Sequence, residues 1–593
     1  MPGRVAEDAD ALQGLLVPRL TCALMMPDSP EKARDVRHYS SYLSNVSSGY
    51  ANALDECFKP DGTFFHHAGH AYGYGGRAIL GVATAMKILE GTAYEASKEA
   101  YRRTLKVADT YFLGLFGPGR AAPKAFASIR FKRYVSAHSH RRIHAKLGAE
   151  HEPFDGFRML SYSSVGVRRQ ADDWMVTARG HSKYVYPWES WGPGFFAYPL
   201  FLANGYLDVS YPDSLDSLSP IDGVWHAGLD WRRWPGATVV RLPYEAMITR
   251  VGQVRDEGGE YLFSDQAFAG GVETSYGCGV QVFAFKGHDK YGLESFSGKK
   301  SYFFVGNKVV ALGTDIESGI ADYPVETVLF QDHLSSKEQA IVVNGQVLAA
   351  FPFVKHFSDG KEVWFVDTRG TGFFVPGGGV HFTRGEQTNP DSHGKKPLSG
   401  NFASAWIDHG KTPGDASYEY VLVADTDAEE MAAFAEAPTV RVLQKDSDAH
   451  VVELSEEHAV AYAVYASEGT RFGSGPIHAV NRAATFVAKK EGAGLRLSVA
   501  DPDLNIYDGQ DDRMPDGTRV ELSLYEREWF FWPSRPTKVQ LVVAGHWCIQ
   551  KLETPMETAA NQPLVISAEG GKTVVEFECR DGLSAEVLLL PEN

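Results

Sequence analysis

Apolar residues in the first third of the chain recur three and four positions apart. Ile79, Val82, Met86 and Leu89 share one face of a helical repeat, and Tyr101, Leu105, Ala108, Phe112 and Leu115 share another. Glycines at Gly75, Gly76, Gly91 and Gly117 punctuate these runs, as in antiparallel helical hairpins with short turns. This pattern predicts helices up to about Leu200. Beyond about Asp208 the period shortens to β-branched and aromatic runs such as Ala237–Leu242, Val280–Phe285, Tyr302–Leu312 and Ile341–Val347. Gly306-Asn307 and Asn344-Gly345 interrupt two of them where a two-residue hairpin turn needs positive φ. The strand pattern continues to the end, with the last strands at Thr573–Cys579 and Ala585–Leu590.

Helices first and strands afterwards, without alternating βαβ units, exclude a doubly wound parallel sheet. The expected fold is α+β and multidomain. A helical unit covers residues 1–207, a large antiparallel β-sandwich 208–436, and a smaller C-terminal β-sandwich 437–593. The second boundary rests on the break at Ala435–Pro438, after the acidic run Asp425–Glu430.

A chain of 593 residues is long enough for several cores, and its hydrophobic fraction of 44% is that of a globular protein. The net charge of −17 argues against a nucleic-acid binder, since polyanion affinity comes from cationic contacts. A local basic cleft in an acidic protein still suits an anionic substrate. The five cysteines are scattered and odd in number, with no CxxC or finger spacing, so neither a disulfide framework nor a structural zinc site is expected. The N-terminus is acidic where a signal peptide is basic, and no apolar run spans a membrane.

The densest chemistry lies in Lys59–Gly76, KPDGTFFHHAGHAYGYGG, which is expected to be a loop between helices. It carries His66, His67, His70, Tyr72 and Tyr74 among glycines that free the backbone to aim side chains. Three readings stay open from local sequence: a proton-transfer site, a turn whose aromatics cap the helical core, and a metal site using His66 and His70. A second cluster, Arg130–Lys146, holds Arg130, Lys132, Arg133, Arg141, Arg142 and Lys146 with His138, His140 and His144, and suits a carboxylated or sulfated polymer or a solvated helix face. The stretches Lys183–Phe196 and Trp225–Trp234 offer rings for sugar stacking, although interdomain packing is the plainer role for most of their tryptophans. No GxSxG elbow, Walker loop, HExxH or dinucleotide fingerprint is present.

These motifs together resemble the chondroitin sulfate ABC lyases, within the wider group of chondroitin AC, hyaluronan and xanthan lyases. KPDGT followed by an H-x6-Y loop sets His67 and Tyr74 on that family's His and Tyr positions. YSSVGVRRQADDWMV is similar to the segment carrying its essential Arg, here Arg169, and GGVETSYGCGVQVFAF to the segment carrying a catalytic-site Glu, here Glu273. WRRWPGATVVRLP resembles the opening of the large sheet domain, and GNFASAWIDHGKTPGDASYEY is the longest match inside it. The resemblance runs in order from about Phe58 to Pro502. It starts close to the N-terminus, and His66 stands where the ABC lyases often have Arg.

The resemblance implies an incomplete (α/α) toroid, a β-supersandwich and a terminal β-sandwich. It implies β-elimination on chondroitin sulfate, dermatan sulfate or hyaluronan, with alginate, xanthan side chains or non-catalytic carbohydrate binding as alternatives. Tyr74 would act as base and acid with glucuronate, and His67 as base with iduronate. Arg169 would favour the Tyr74 phenolate, and Glu273 would orient His67 or Arg169. His66, His70, Tyr72 and Arg168 are expected to bind substrate. No cofactor is required and no catalytic metal is expected; a structural divalent cation stays an open alternative. The partner is an anionic polysaccharide or oligosaccharide, with no nucleic acid or membrane, and the oligomeric state is not implied. A secreted or periplasmic location is implied by the family, with the cytoplasm as the alternative because no signal peptide is visible.

Overall fold

The computed structural model describes residues 7–70, 72–115, 143, 145–148, 154–171, 173–194, 196–212, 227–251, 260–509, 522, 524–550 and 564–592. The N-terminal part is helical: α1 (Ala9–Gly14), α2 (Leu16–Leu24), α3 (Pro30–Ser48), α4 (Tyr72–Leu89) and α5 (Lys98–Leu115). Ser29 caps α3, its Oγ accepting from the Lys32 amide at 3.2 Å, with Pro30 at the first helical position. Ile79, Val82, Met86 and Leu89 are all buried, as their spacing predicts. At Gly81 a Cβ would lie 2.4 Å from the Leu12 carbonyl oxygen, so glycine is what lets α1 lie so close on α4. Among the described residues, no helix is long and apolar enough to cross a membrane.

Between α3 and α4 the chain forms a small antiparallel sheet, β1 (Cys57–Phe58), β2 (Phe64–His66) and β3 (Gly69–His70), instead of the expected loop. The helical expectation up to Leu200 is overturned in a second place. Residues 155–210 hold a four-stranded antiparallel sheet: β4 (Asp155–Leu160), β5 (Val165–Gln170), β6 (Trp174–Arg179) and β7 (Tyr206–Ser210). Both faces of β5 and β6 are covered, so neither strand shows the clean alternation that marks a half-exposed strand.

The large sheet unit has two antiparallel layers. Nine strands run in order from Gln346–Leu348 through Ile341–Val343, Val363–Val366, Gly372–Val375, Ala416–Val423, Lys308–Glu317, Ser297–Val305 and Gly279–Lys286 to Ala269–Glu273. Five strands face them: Phe353–Phe357, Val380–Pro390, Pro397–Lys411, Pro324–His333 and Thr238–Val240. Phe330 and Phe382 from the five-stranded layer meet Phe365 and Phe373 from the nine-stranded one, with ring centroids 5.0–5.8 Å apart across the shared core. Gly306-Asn307 and Asn344-Gly345 do turn hairpins, with φ of +53° at Gly306, +48° at Asn344 and +76° at Gly345.

The helix Ala428–Glu436, capped by Asp427, separates this unit from the C-terminal sandwich of seven and five antiparallel strands, which starts at Val440. The outer face of the nine-stranded layer packs on the seven-stranded one through Val280, Val282, Phe303, Val452, Ala461 and Val487. Helical unit, four-stranded sheet and C-terminal sandwich converge on the small β1–β3 sheet. There Phe65 and Ala68 share a buried cluster with Tyr162, Tyr184, Tyr186, Leu504, Trp529 and Phe530.

Candidate active site

β2 and β3 are joined by His67 and Ala68 alone, with φ of +53° and +57°, between the paired His66 and Gly69. Two successive left-handed residues close a hairpin in the mirror-image turn that matches strand twist. Outside glycine this conformation costs about 1–3 kcal/mol, and histidine is among the few side chains enriched there. The turn carries the imidazole past the end of the sheet, where its side chain is 33% exposed. At Gly69 a Cβ would lie 1.9 Å from the Tyr186 hydroxyl, so that ring presses directly on the turn backbone.

Glu189 holds His67. Its Oε1 lies 3.4 Å from His67 Nδ1 and accepts from Trp191 Nε1 at 2.8 Å. With the Nδ1 proton directed to Glu189, Nε2 is the ring atom left to exchange a proton. The Glu189 hydrogen bond raises the His67 pKa against the opposing effect of burial, helped by the charges of Glu189, Glu56 and Asp10. The folded protein therefore holds this proton more tightly than the unfolded chain. That contribution to stability is complete below about pH 6.5 and fades as pH rises through the raised value. Glu189→Gln is expected to lower the His67 midpoint in an NMR titration of the imidazole; an unchanged midpoint would contradict this assignment.

Glu56 braces the turn from below. Its Oε2 accepts from His66 Nδ1 at 2.9 Å and from the Ala9 amide at 3.1 Å, and its Oε1 from the His67 amide at 3.4 Å. Burial works against the charge, but these hydrogen bonds prevail and hold the carboxyl below the usual range. Asp8, Glu56 and His66 bring one donor atom each within 4.8 Å, which is the described group able to hold a metal. Its carboxylates are already engaged, Glu56 as above and Asp8 in capping α1 through the Asp10 amide.

Tyr74 lies in the first turn of α4, not in a loop, and is 41% exposed. Its ring stacks beside both histidines, with centroids 4.1 Å from His66 and 6.3 Å from His67. His66 and His70, expected to meet substrate or a metal, are used for structure. His66 is buried on Glu56, and His70 Nδ1 lies 3.0 Å from the Phe64 carbonyl, with burial driving its pKa down to about 4. His66 and Gly69 pair across the turn, so the helical HxxxH spacing does not exist here. Tyr72 opens α4, and its side chain lies outside the described residues.

Arg168, Arg169 and Glu273 lie beside β4. Arg168 donates to Asp155 Oδ1 at 2.8 Å and to the Gly306 carbonyl at 2.9 Å, so it ties the small sheet to the large one and is not offered to a cleft. Arg169 is buried opposite Gly156 and donates to the Ala171 carbonyl. Glu273 accepts from Arg158 Nη1 at 3.1 Å and from the Met159 amide at 2.9 Å. It lines a cavity of about 660 Å³ together with Asp61, Arg102, Lys106 and Arg158. Asp61 and His67 stand at opposite ends of β2, and His67, Tyr74 and Arg169 do not line this cavity, so the structure does not bring Glu273 to His67 or Arg169 as expected.

Residues that the sequence did not single out are Glu189, Glu56, Trp191 and Arg179. Arg179 donates to the Pro187 carbonyl at 2.7 Å, and its charge is felt at His70, His181 and Tyr186. Glu189 and Trp191 fall within the Lys183–Phe196 stretch, where the density of rings was the signal; Glu56 and Arg179 had none. Of the basic cluster Arg130–Lys146, only Ile143, Ala145 and Lys146 are among the described residues, and Trp225 also lies outside them.

Comparison with known proteins agrees with this layout. A model described as lyase, catalytic, matches residues 1–111; the polysaccharide lyase family 8 super-sandwich domain matches 165–435; and that family's C-terminal β-sandwich domain matches 441–505. The chain is 30% identical to a chondroitin sulfate ABC exolyase of Bacteroides thetaiotaomicron over 98% of its own length and 61% of the relative's. It is 28% identical to a chondroitin sulfate ABC exolyase of Proteus vulgaris, over 93% and 57%. It thus spans about three-fifths of the length of these relatives. Among solved structures it is similar to a Paenibacillus xanthan lyase, with a TM-score of 0.70 at 18% identity, covering 99% of this chain and 57% of that one. A chondroitinase AC lyase aligns with a TM-score of 0.67 at 16% identity, over 98% and 78%. The two sheet domains of this chain thus match the super-sandwich and C-terminal β-sandwich models of polysaccharide lyase family 8.

Proposed function

We propose that this protein is a polysaccharide lyase that cleaves uronic-acid-containing glycosaminoglycans of the chondroitin, dermatan or hyaluronan type by β-elimination. The observation that carries the reading is His67, thrust out on a strained turn and held by Glu189, beside the exposed ring of Tyr74. The names of the relatives, chondroitin sulfate ABC exolyases, support the substrate class.

The chemistry needs little else. The C5–H and C4–O4 bonds break, the C4–C5 double bond forms, and the proton ends on O4, with no oxidation and no redox cofactor. The C5 proton is too weakly acidic to leave unless charge spreading onto the adjacent carboxylate is stabilised by preorganised donors. Tyr74 serves as base and then acid where proton and leaving group share a face, as in glucuronate. Where they lie on opposite faces, as in iduronate, His67 takes the C5 proton through Nε2 and Tyr74 protonates O4. Arg169 and Glu273, assigned by resemblance, enter as groups further along the polymer, near the cavity beside β4. The helical unit is read as part of an (α/α) toroid wall. Because such polymers are extracellular, we place the protein outside the cytoplasm.

Mass spectrometry of digests of chondroitin sulfate, dermatan sulfate, hyaluronan, alginate and xanthan tests the reading. A lyase gives fragments whose masses are whole multiples of the repeating unit. Fragments one water heavier indicate hydrolysis, and intact polymer throughout indicates binding alone; either result contradicts the proposal.

A further inference from the structure

The connection between strands Gly494–Ala500 and Thr537–Ala544 of the C-terminal sandwich is far longer than a hairpin needs, and its described parts leave their own domain. Lys183 Nζ donates to the Tyr507 carbonyl at 2.7 Å and the Gly509 carbonyl at 2.5 Å, and the Tyr184 hydroxyl donates to Tyr507 at 2.8 Å. Further along, the Leu54 amide donates to the Phe530 carbonyl at 3.1 Å and Asn52 Nδ2 to the Phe531 carbonyl at 3.2 Å. Trp529 is fully buried edge-on to Tyr184, at 5.3 Å between centroids, in the cluster that contains Ala68 of the His67 turn. The segment is thus bolted to the back of the catalytic hairpin by both backbone and core contacts.

Tyr525 rises from this base. Its ring packs 5.5 Å from Phe530 and is nevertheless 61% exposed. It is close enough to Glu56, Asp8 and Glu189 that their charges, after burial, push its phenol pKa up. Beside His67, Trp191 is 37% exposed with its centroid 6.1 Å from the imidazole, and Tyr74 is 41% exposed. Tyr74 and Trp191 are therefore left open to water beside His67, and Tyr525, seated on Phe530 of the cluster that holds Ala68, is a third exposed ring carried by the same hairpin's surroundings. Each would gain by burial, and a sugar presents flat C–H faces that can cover such rings.

We propose that Tyr525, delivered by the C-terminal sandwich, is a substrate-positioning residue whose ring stacks on a sugar next to the scissile linkage. The C-terminal domain then forms part of the active-site wall and is more than a support for the large sheet. This inference rests on the lyase reading for its substrate class, and the test separates the two. Binding of chondroitin sulfate oligosaccharides is measured by calorimetry in Tyr74→Phe protein, with and without Tyr525→Ala and Tyr525→Phe, while turnover of the unsubstituted protein is followed separately. Tyr525→Ala is expected to weaken binding about tenfold and to raise KM similarly in the active protein with kcat nearly unchanged. Tyr525→Phe, which keeps the ring, is expected to bind like its parent, and all variants to melt at the same temperature. Equal affinity with and without Tyr525→Ala overturns the proposal, as does a Tyr525→Phe as weak as the alanine variant, or no binding in any of them. Binding that depends on Tyr525 without turnover in the unsubstituted protein would sink the lyase reading and leave this inference standing.

Discussion

Tyr74→Phe is expected to lower the rate of uronate elimination by about 10³-fold or more while leaving polymer affinity within about twofold. The substitution removes one oxygen from a side chain that is 41% exposed in the first turn of α4, so nothing in the core depends on it. The phenyl ring retains its stacking on His66 and its apolar face toward a sugar. What is lost is the group that moves the proton, and general acid–base catalysis by one positioned side chain contributes about 10²–10⁴-fold. A residue serving both as base and as acid belongs at the upper part of that range. Steady-state rates and calorimetric affinities on the same polymer separate the two effects. A variant that turns over within tenfold of the parent would remove Tyr74 from the chemistry.

The second large effect concerns stability and begins at Lys59. Its ammonium is completely buried and donates to four carbonyls, those of Ala51, Asn52, Ala53 and Asp55, at 3.3, 2.9, 2.8 and 2.7 Å. It also lies over the rings of Phe65 and Tyr162, at 4.4 and 5.4 Å. This one side chain gathers the carbonyls of the 51–55 loop and sets it against β1 and β2, while the Phe530 and Phe531 carbonyls hold the loop from its other side. Lys59→Met keeps the length of the side chain and removes every donor. Stranding several buried carbonyls is expected to cost about 3–5 kcal/mol. The denaturant midpoint should fall accordingly, and activity should fall with it because the His67 turn loses its floor. An unchanged midpoint would show that the loop is held by other means.

Much of the layout was legible from local pattern. Ile79, Val82, Met86 and Leu89 spell a buried helix face, and the Gly306-Asn307 and Asn344-Gly345 turns predict hairpins that exist. His67 and Tyr74 stand out because chemistry-bearing side chains crowd a glycine-rich stretch. The position of Tyr74 on a helix was hidden by Gly73, Gly75 and Gly76, each of which disfavours helix. The cost falls in the first turn, and packing of the α4 core face prevails. β4–β7 were hidden for a different reason: strands covered on both faces lose the two-residue alternation that identifies them, so the helical reading extended over them. Glu189 lies in the ring-dense Lys183–Phe196 stretch, but nothing local ties it to His67. It is an ordinary carboxylate 122 positions from His67, brought to it by the four-stranded sheet and the Ser190–Glu260 bridge. The same holds for Tyr525, which we place at the site on a connection of the C-terminal domain. Groups that act directly leave traces in composition; groups that hold them in place are selected by tertiary contacts and leave none.

Elimination across the C4–C5 bond of a uronate by the proposed His67–Tyr74 pair leaves a chromophore. Ultraviolet absorbance of the new double bond, followed while the protein acts on chondroitin sulfate, dermatan sulfate and hyaluronan, tests it most directly. Absorbance is expected to rise steadily with at least one of these polymers, the rise being lost in Tyr74→Phe and kept in Arg168→Lys. Reducing ends released without that absorbance, or a rise that persists unchanged in Tyr74→Phe, would contradict it.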